Sequence, residues 1–221
     1  LPSIWLTLAD YYVCQCVGRL QNSIGLYQLI ILGTMNQPNN KRLQRINVVG
    51  SSGSGKSTFS RKLSTILSVT HIEIDAIFWQ PNWQEPEEDI FCSKLSAEIS
   101  PLSNWVLDGN YTRTIPIKWK NVQVVIWLDY SFIRTVFQAI KRAVTHAFSQ
   151  KELWAGTGNK ETWRRFFSKD SIVLYTIKTH SKVRRKYELL MLDKSYSHIE
   201  FVRFCSPKES EQFLNLIKEL P

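Results

Sequence analysis

The chain of 221 residues carries a formal net charge of +9, is 43% hydrophobic and holds 8 tryptophans, enough apolar material for one medium domain with a substantial core. No apolar run approaches the roughly 18 residues of a membrane-crossing helix, so a membrane span is not expected. Cys14, Cys16, Cys92 and Cys205 are scattered, and Cys14-x-Cys16 lacks a second ligand pair, which argues against zinc and for reduced thiols in a cytoplasmic protein.

Residues 1–34 contain only Asp10 and Arg19 as charges, so the basic excess lies further on. Much of it falls between 131 and 190, at Arg134, Lys141, Arg142, Arg164, Arg165, Lys182, Arg184, Arg185 and Lys186. A polyanion partner, a kinase lid facing triphosphate and a solvated helix face all account for it. The first 34 residues are apolar without a clean period and lack a basic n-region, which fits a signal peptide poorly. Met35 opens a polar run just before the first strand and is the expected physiological start, with 1–34 an upstream extension; the other reading is a helix that docks on a membrane or partner. An N-terminal extension is therefore placed at 1–40 and the main domain at 41–221.

In chain order, Arg45-Ile46-Asn47-Val48-Val49 is a β-branched first strand, and Thr58–Leu67 a helix with apolar residues at 59, 63, 66 and 67. Between them stands Gly50-Ser51-Ser52-Gly53-Ser54-Gly55-Lys56-Ser57-Thr58, which fits the phosphate-binding pattern G-x-x-x-x-G-K-S/T in its required strand–turn–helix setting. Its glycines let backbone N–H groups turn inward on a phosphate chain, and the helix dipole adds positive potential. Lys56 is expected to reach the β- and γ-phosphates, and the Ser57 hydroxyl to ligate Mg²⁺. The motif implies ATP or GTP binding and leaves the fate of the γ-phosphate open.

Thr70–Asp75 reads as a second strand ending in a carboxylate. An aromatic loop with Phe78, Trp79 and Trp83 follows, then an acidic helix start at Glu85–Asp89 that continues to Ile99. Residues 76–104 form the expected acceptor-binding segment. Trp105–Tyr111 and Val122–Asp129 are near-continuous apolar strands, as buried parallel strands should be. Ser131 is the expected N-cap of an amphipathic helix with apolar residues at 132, 133, 136, 137 and 140. From about 149 to 162 the periodicity stops and Trp154–Lys160 reads as a mobile lid loop; a basic helix is expected from about Glu161 to Leu192. Ile199–Phe204 is the last strand, and Ser206, Pro207 and Glu209 form the capping box of a final helix. Alternating strands and helices define a parallel α/β sheet.

Taken together, the P-loop, Asp75-x-x-Phe78-Trp79 with Trp83, Trp105-x-x-Asp108-Gly109-Asn110-Tyr111 and Ile126-x-Leu128-Asp129 resemble the bacterial topology modulation proteins, P-loop kinases related to adenylate kinase. The resemblance covers roughly Arg45 to Leu220. Val106-Leu107-Asp108-Gly109 also resembles the Leu-Asp-Gly-Phe-Pro-Arg segment of adenylate kinases, but Asn110-Tyr111-Thr112 replaces Phe-Pro and Arg113 falls one position later. That departure speaks against AMP as acceptor. The resemblance implies a three-layer P-loop NTPase fold: a five-stranded parallel sheet with helices on both faces, nucleoside-kinase-like, with a lid.

Asp108 and Asp129 compete for the carboxylate that supports Mg²⁺, and Asp108 is favoured because the Asp-Gly resemblance places its strand beside the P-loop strand. The other reading of Asp129 is a helix N-terminal carboxylate. Asp75 is the candidate for orienting or deprotonating an acceptor hydroxyl, against a role as a loop anchor. Phe78, Trp79 and Trp83 form either an acceptor wall or core. Of Arg113, Arg134, Arg142, Arg164 and Arg165, Arg142 and Arg113 are chosen as catalytic cations beside Lys56. Arg184, Arg185 and Lys186 are assigned to a solvated face. His71, His146, His180 and His198 are dispersed and receive no metal or catalytic role. The leading expectation is a kinase acting on a small-molecule acceptor with ATP and Mg²⁺. The alternative is an ATP-dependent nucleic-acid-binding protein, although no helix-turn-helix, RNP or finger motif is present. A plain NTPase switch has less support.

Overall fold

The computed structural model describes residues 44–219. The predicted N-terminal extension and the Met35 start lie outside the described residues. The strands are β1 (Arg45–Gly50), β2 (Thr70–Glu73), β3 (Trp105–Asp108), β4 (Val124–Leu128) and β5 (Glu200–Phe204). The helices are α1 (Lys56–Leu67), α2 (Ile74–Phe78), α3 (Glu88–Ile99), α4 (Ile115–Lys118), α5 (Phe132–Ser149), α6 (Trp163–Phe166), α7 (Ile172–Leu192) and α8 (Pro207–Lys218).

All strand pairs are parallel and the sheet order is β2-β3-β1-β4-β5. Strand alternation sorts the side chains onto two faces. On one, Phe59 of α1 packs against Phe204 of β5 and Phe213 of α8. On the other, Val49, Leu107, Val125 and Trp127 bury against Phe78, Phe91, Ile115 and Tyr187 of α2, α3, α4 and α7. This is the expected three-layer α/β architecture with a five-stranded parallel sheet. Among the described residues no helix is long and apolar enough to cross a membrane.

Four local expectations change. The second strand stops at Glu73, and Asp75 lies in the first turn of α2. Ile74 turns the chain there: it is fully buried against Gly109, where a β-carbon would sit 2.8 Å from its own. The predicted helix over 161–192 is two helices. Thr162 caps Arg165 N–H at the start of α6, and Ser171 caps Val173 N–H at the start of α7. Helix α5 does not bury its large apolar side chains. Ile133 is 81% and Phe137 66% exposed, whereas Thr135, Ala139, Ala143 and Ala147 face inward. Small residues are needed there because α5 lies against the P-loop: a β-carbon on Gly53 would come within 2.8 Å of the Thr135 carbonyl and 2.9 Å of the Ala139 methyl. Ser131 sits at the N-cap position of α5 without a side-chain capping bond. Of the predicted capping box of α8, Ser206 Oγ accepts from Glu209 N–H at 3.3 Å, while the Glu209 carboxylate accepts from Ser206 Oγ at 2.9 Å and from Cys205 N–H, one residue before the N-cap, at 2.8 Å.

Candidate active site

The P-loop joins the carboxyl end of β1 to the amino end of α1. Gly53 and Gly55 take left-handed conformations (φ 82° and 88°), which turn the loop and which side chains resist. Gly53 has no room for a side chain, while the space around Gly55 is open. Within the loop, Ser54 N–H donates to the Ser51 carbonyl at 3.1 Å and Lys56 Nζ to the same carbonyl at 3.2 Å.

Burial lowers the Lys56 pKa, and the charges that act on it are Asp108, Asp75 and Arg142. Those are the catalytic residues expected from the sequence, Arg113 excepted. Asp108 ends β3 and is 5% exposed. Desolvation raises its pKa to about 6, against the opposing effects of Lys56 and a hydrogen bond from Ser57. Its Oδ1 has no hydrogen-bond partner among the described residues.

Adjacency to β1 does not separate the two competing aspartates, because β3 and β4 flank β1 on either side. Their partners do. Asp129 Oδ2 accepts from Arg203 Nε at 2.9 Å and also from Arg203 Nη2, and Arg184 stands 3.3 Å away. Its charge is already compensated by the protein, and Arg184 thereby has a role other than a solvated face.

After Asp108 the chain is fastened to the P-loop by a residue to which the sequence assigns no role. Asn110 Oδ1 accepts from Gly50 N–H at 2.9 Å, and Asn110 Nδ2 donates to the Gly50 carbonyl. The side-chain amide thus pairs with the loop's first peptide as another strand would. Tyr187 OH donates to Asn110 Oδ1 at 3.3 Å, and Lys186 Nζ donates to the Asn110 carbonyl at 3.2 Å and to Thr112 Oγ1 at 2.7 Å. Lys186, expected on a solvated face, is half-buried and its pKa falls to about 8 through desolvation. The buried Lys118 donates to the Gly109 carbonyl at 3.1 Å, and its pKa is lowered strongly for the same reason. The signal in the sequence was Asn directly after Asp-Gly, where adenylate kinases have Phe.

On the acceptor side, Asp75 Oδ1 accepts from Tyr111 OH at 2.7 Å. Burial first, and then the Asp75 charge, push the phenol pKa upward, so Tyr111 remains a neutral donor. Phe78 is core, with Phe91 and Tyr111 rings at 5.0 and 4.6 Å. Trp79 and Trp83 are half-buried, and the segment 149–162 supplies their neighbour. Trp154 lies 6.1 Å from Trp79, nearly parallel, and 5.8 Å from Trp83, edge to face.

The segment 149–162 is held by more than this contact. Glu152 and Lys160 pair through an antiparallel backbone bridge, Asn159 Nδ2 donates to the Gln80 carbonyl at 2.9 Å, and Asn159 Oδ1 accepts from Trp83 N–H at 3.0 Å. In place of a free loop, the structure shows one docked on the aromatic turn at 79–83. Arg165 lies over the Trp83 ring at 3.6 Å. Arg113 is drawn elsewhere: Glu85 and Glu88 stand 3.6 and 3.8 Å away, and its guanidinium lies over Phe78 and Phe91. Arg134 acts on Tyr130.

No protein-family description matches this chain, and no curated protein sequence is significantly similar to it. Among solved structures it is similar to a shikimate kinase from Acinetobacter baumannii in complex with shikimate, with TM-score 0.48 and 14% identity over 80% of this chain and 92% of that one. It is also similar to a gluconokinase from Sinorhizobium meliloti 1021, with TM-score 0.44 and 14% identity over 80% of this chain and 94% of that one.

Proposed function

We propose that the chain is a cytoplasmic P-loop kinase, related to adenylate kinases and the topology modulation proteins, that transfers the γ-phosphoryl group of ATP to a hydroxyl of a small-molecule acceptor. The observation that carries this reading is the meeting of two carboxylates of different kind at Lys56. Asp108 comes from the phosphate side, and Asp75 comes from the acceptor segment with Tyr111 bonded to it.

In this reading residues 50–58 cradle the triphosphate, with Lys56 against its β- and γ-oxygens. Ser57 and Asp108 fit Mg²⁺, since both offer oxygen and the buried Asp108 Oδ1 lacks any other partner among the described residues. When bound, Mg²⁺ offsets negative charge on the phosphates. Asp75, held by Tyr111, orients the acceptor hydroxyl and receives its proton as the acceptor oxygen bonds to phosphorus and ADP leaves. Arg142 adds positive charge beside Lys56, and the lid at 149–162 excludes water. Arg113 orders the start of α3 through Glu85 and Glu88. Nothing in the site's geometry favours the nucleic-acid alternative.

The test is transfer from γ-labelled ATP to a panel of nucleosides, nucleotides, sugars and small hydroxy acids, with Lys56→Ala as control. Label on an acceptor that disappears in the control is expected. No labelled acceptor, with ATP hydrolysed only when DNA is added, overturns the proposal.

A further inference from the structure

Strands β2 and β3 place a nitrogen and two carboxylates on one face of the sheet. Glu73 pairs in register with Asp108, and His71 lies two residues earlier on the same side of β2. One ligand atom from each of His71, Glu73 and Asp108 falls within 4.8 Å of the others. Two atoms of this cluster are buried without any hydrogen bond among the described residues: Asp108 Oδ1 and His71 Nε2. A buried polar atom without a partner is costly, and two in one such cluster call for a ligand.

We infer that His71, Glu73 and Asp108 bind a divalent transition-metal ion of the Zn²⁺ or Mn²⁺ class, beside the Ser57 end of the P-loop. One imidazole and two carboxylates suit such ions better than Mg²⁺ or Ca²⁺, which favour all-oxygen shells. Three protein ligands leave a further position open. Arg61 of α1 holds Glu73 at 3.1 Å, but its side chain is 67% exposed and leaves for solvent without burying its charge. The inference goes beyond the kinase reading and shares only Asp108 with it. No nucleotide is needed to test it.

The test uses the full chain without nucleotide, in excess Mg²⁺, titrated with Mn²⁺ and followed by electron paramagnetic resonance. Pulsed measurement of ¹⁴N coupling reports an imidazole on the metal. One retained Mn²⁺ with ¹⁴N modulation is expected. His71→Ala should abolish the modulation and weaken binding by more than the roughly tenfold that loss of an outer-shell partner costs. Glu73→Gln, which keeps shape and the imidazole, should weaken binding while preserving the modulation on the ion that remains. Arg61→Ala should leave binding intact or tighten it. Absence of bound Mn²⁺ in the wild type, or ¹⁴N modulation unchanged in His71→Ala, overturns the site. Failure of the kinase reading appears separately, as ATP transfer lost in the wild type while Mn²⁺ binding persists.

Discussion

Asp108 and Asp129 occupy matching places in the fold. One ends β3, the other follows β4, the two strands flank β1, and both side chains are buried. Their surroundings are opposite. Asp129 receives Arg203 and Arg184 directly, whereas Asp108 faces the P-loop with one oxygen unpartnered among the described residues and its pKa raised to about 6. A carboxylate compensated by the protein's own arginines holds β4, β5 and α7 together. A carboxylate only partly offset in a buried site, as Asp108 is by Lys56 and Ser57, destabilises the free protein and is available to a ligand. Position at the carboxyl end of a parallel strand therefore nominates a residue, and the local charge balance decides its use.

Substituting each aspartate by asparagine is the sharpest way to break this comparison. Asp108→Asn should lower phosphoryl transfer by about 10²–10³, the range for losing one preorganised electrostatic contact. It should also stabilise the chelated, nucleotide-free protein. A carboxyl group whose pKa is 3.8 unfolded and about 6 folded binds its proton more tightly in the native state, so ionisation opposes folding. The cost is absent below about pH 4, grows as pH rises toward about 6, and then stays near its full value, on the order of 3 kcal/mol. Thermal melts in chelator should show Asp108→Asn more stable than wild type at pH 7.5, with the difference shrinking at pH 5.

Asp129→Asn should behave in the reverse manner. Removing one partner of a buried ion pair costs about 3 kcal/mol, while turnover per folded molecule stays within a few-fold of wild type. If Asp129→Asn abolishes transfer without loss of stability, the two aspartates have been given each other's roles.

The phosphate side was legible in the sequence because its signals are local. Strand, glycine turn and helix stand within about twenty residues, and Asp108-Gly109 is a short pattern with its own backbone demand. Strand alternation with helices likewise carried the parallel sheet. What escaped depends on partners distant in the chain. Periodicity gave α5 an apolar face but not its direction; Gly53 reverses the reading, since its close contacts are the Thr135 backbone and the small Ala139. Asn110 looked like a substitution within a kinase motif until its amide met Gly50, sixty residues away. Charge near the acceptor segment nominates Arg113 for the phosphate, and only the fold shows Glu85 and Glu88 standing 3.6 and 3.8 Å from it. The four histidines read as dispersed along the chain, and only the pairing of β2 with β3 brings Asp108 near His71 and Glu73.

The lid offers a prediction of intermediate size. Trp154 packs on both Trp79 and Trp83, which also touch each other, so Trp154→Ala removes a buried ring where segment 149–162 meets the turn at 79–83. Because the lid also holds through Asn159, the loss should be about 1–2 kcal/mol, less than the 3–5 kcal/mol of a truncated core tryptophan. In kinetics the acceptor KM should rise while the affinity for ATP changes little. Equal effects on both substrates would mean that the aromatic turn serves the triphosphate rather than the acceptor.

The smallest effect expected is the most pointed. Tyr111→Phe deletes a single hydroxyl, the one bonded to Asp75 Oδ1 at 2.7 Å, and keeps the ring packed on Phe78 and Phe91. The fold should survive with a loss of about 1.5 kcal/mol, the low end for a hydrogen bond to a charged group. If the hydroxyl holds Asp75 toward the acceptor, kcat falls by about tenfold with the KM for ATP unchanged, since 1.4 kcal/mol of lost orientation corresponds to that factor. If Asp75 merely anchors the turn of α2, Tyr111→Phe lowers stability by the same amount and leaves kcat untouched. The ratio of kinetic to thermodynamic loss in this one variant therefore separates a carboxylate placed for the acceptor from one placed for the loop, as the paired asparagine variants do at the other end of the site.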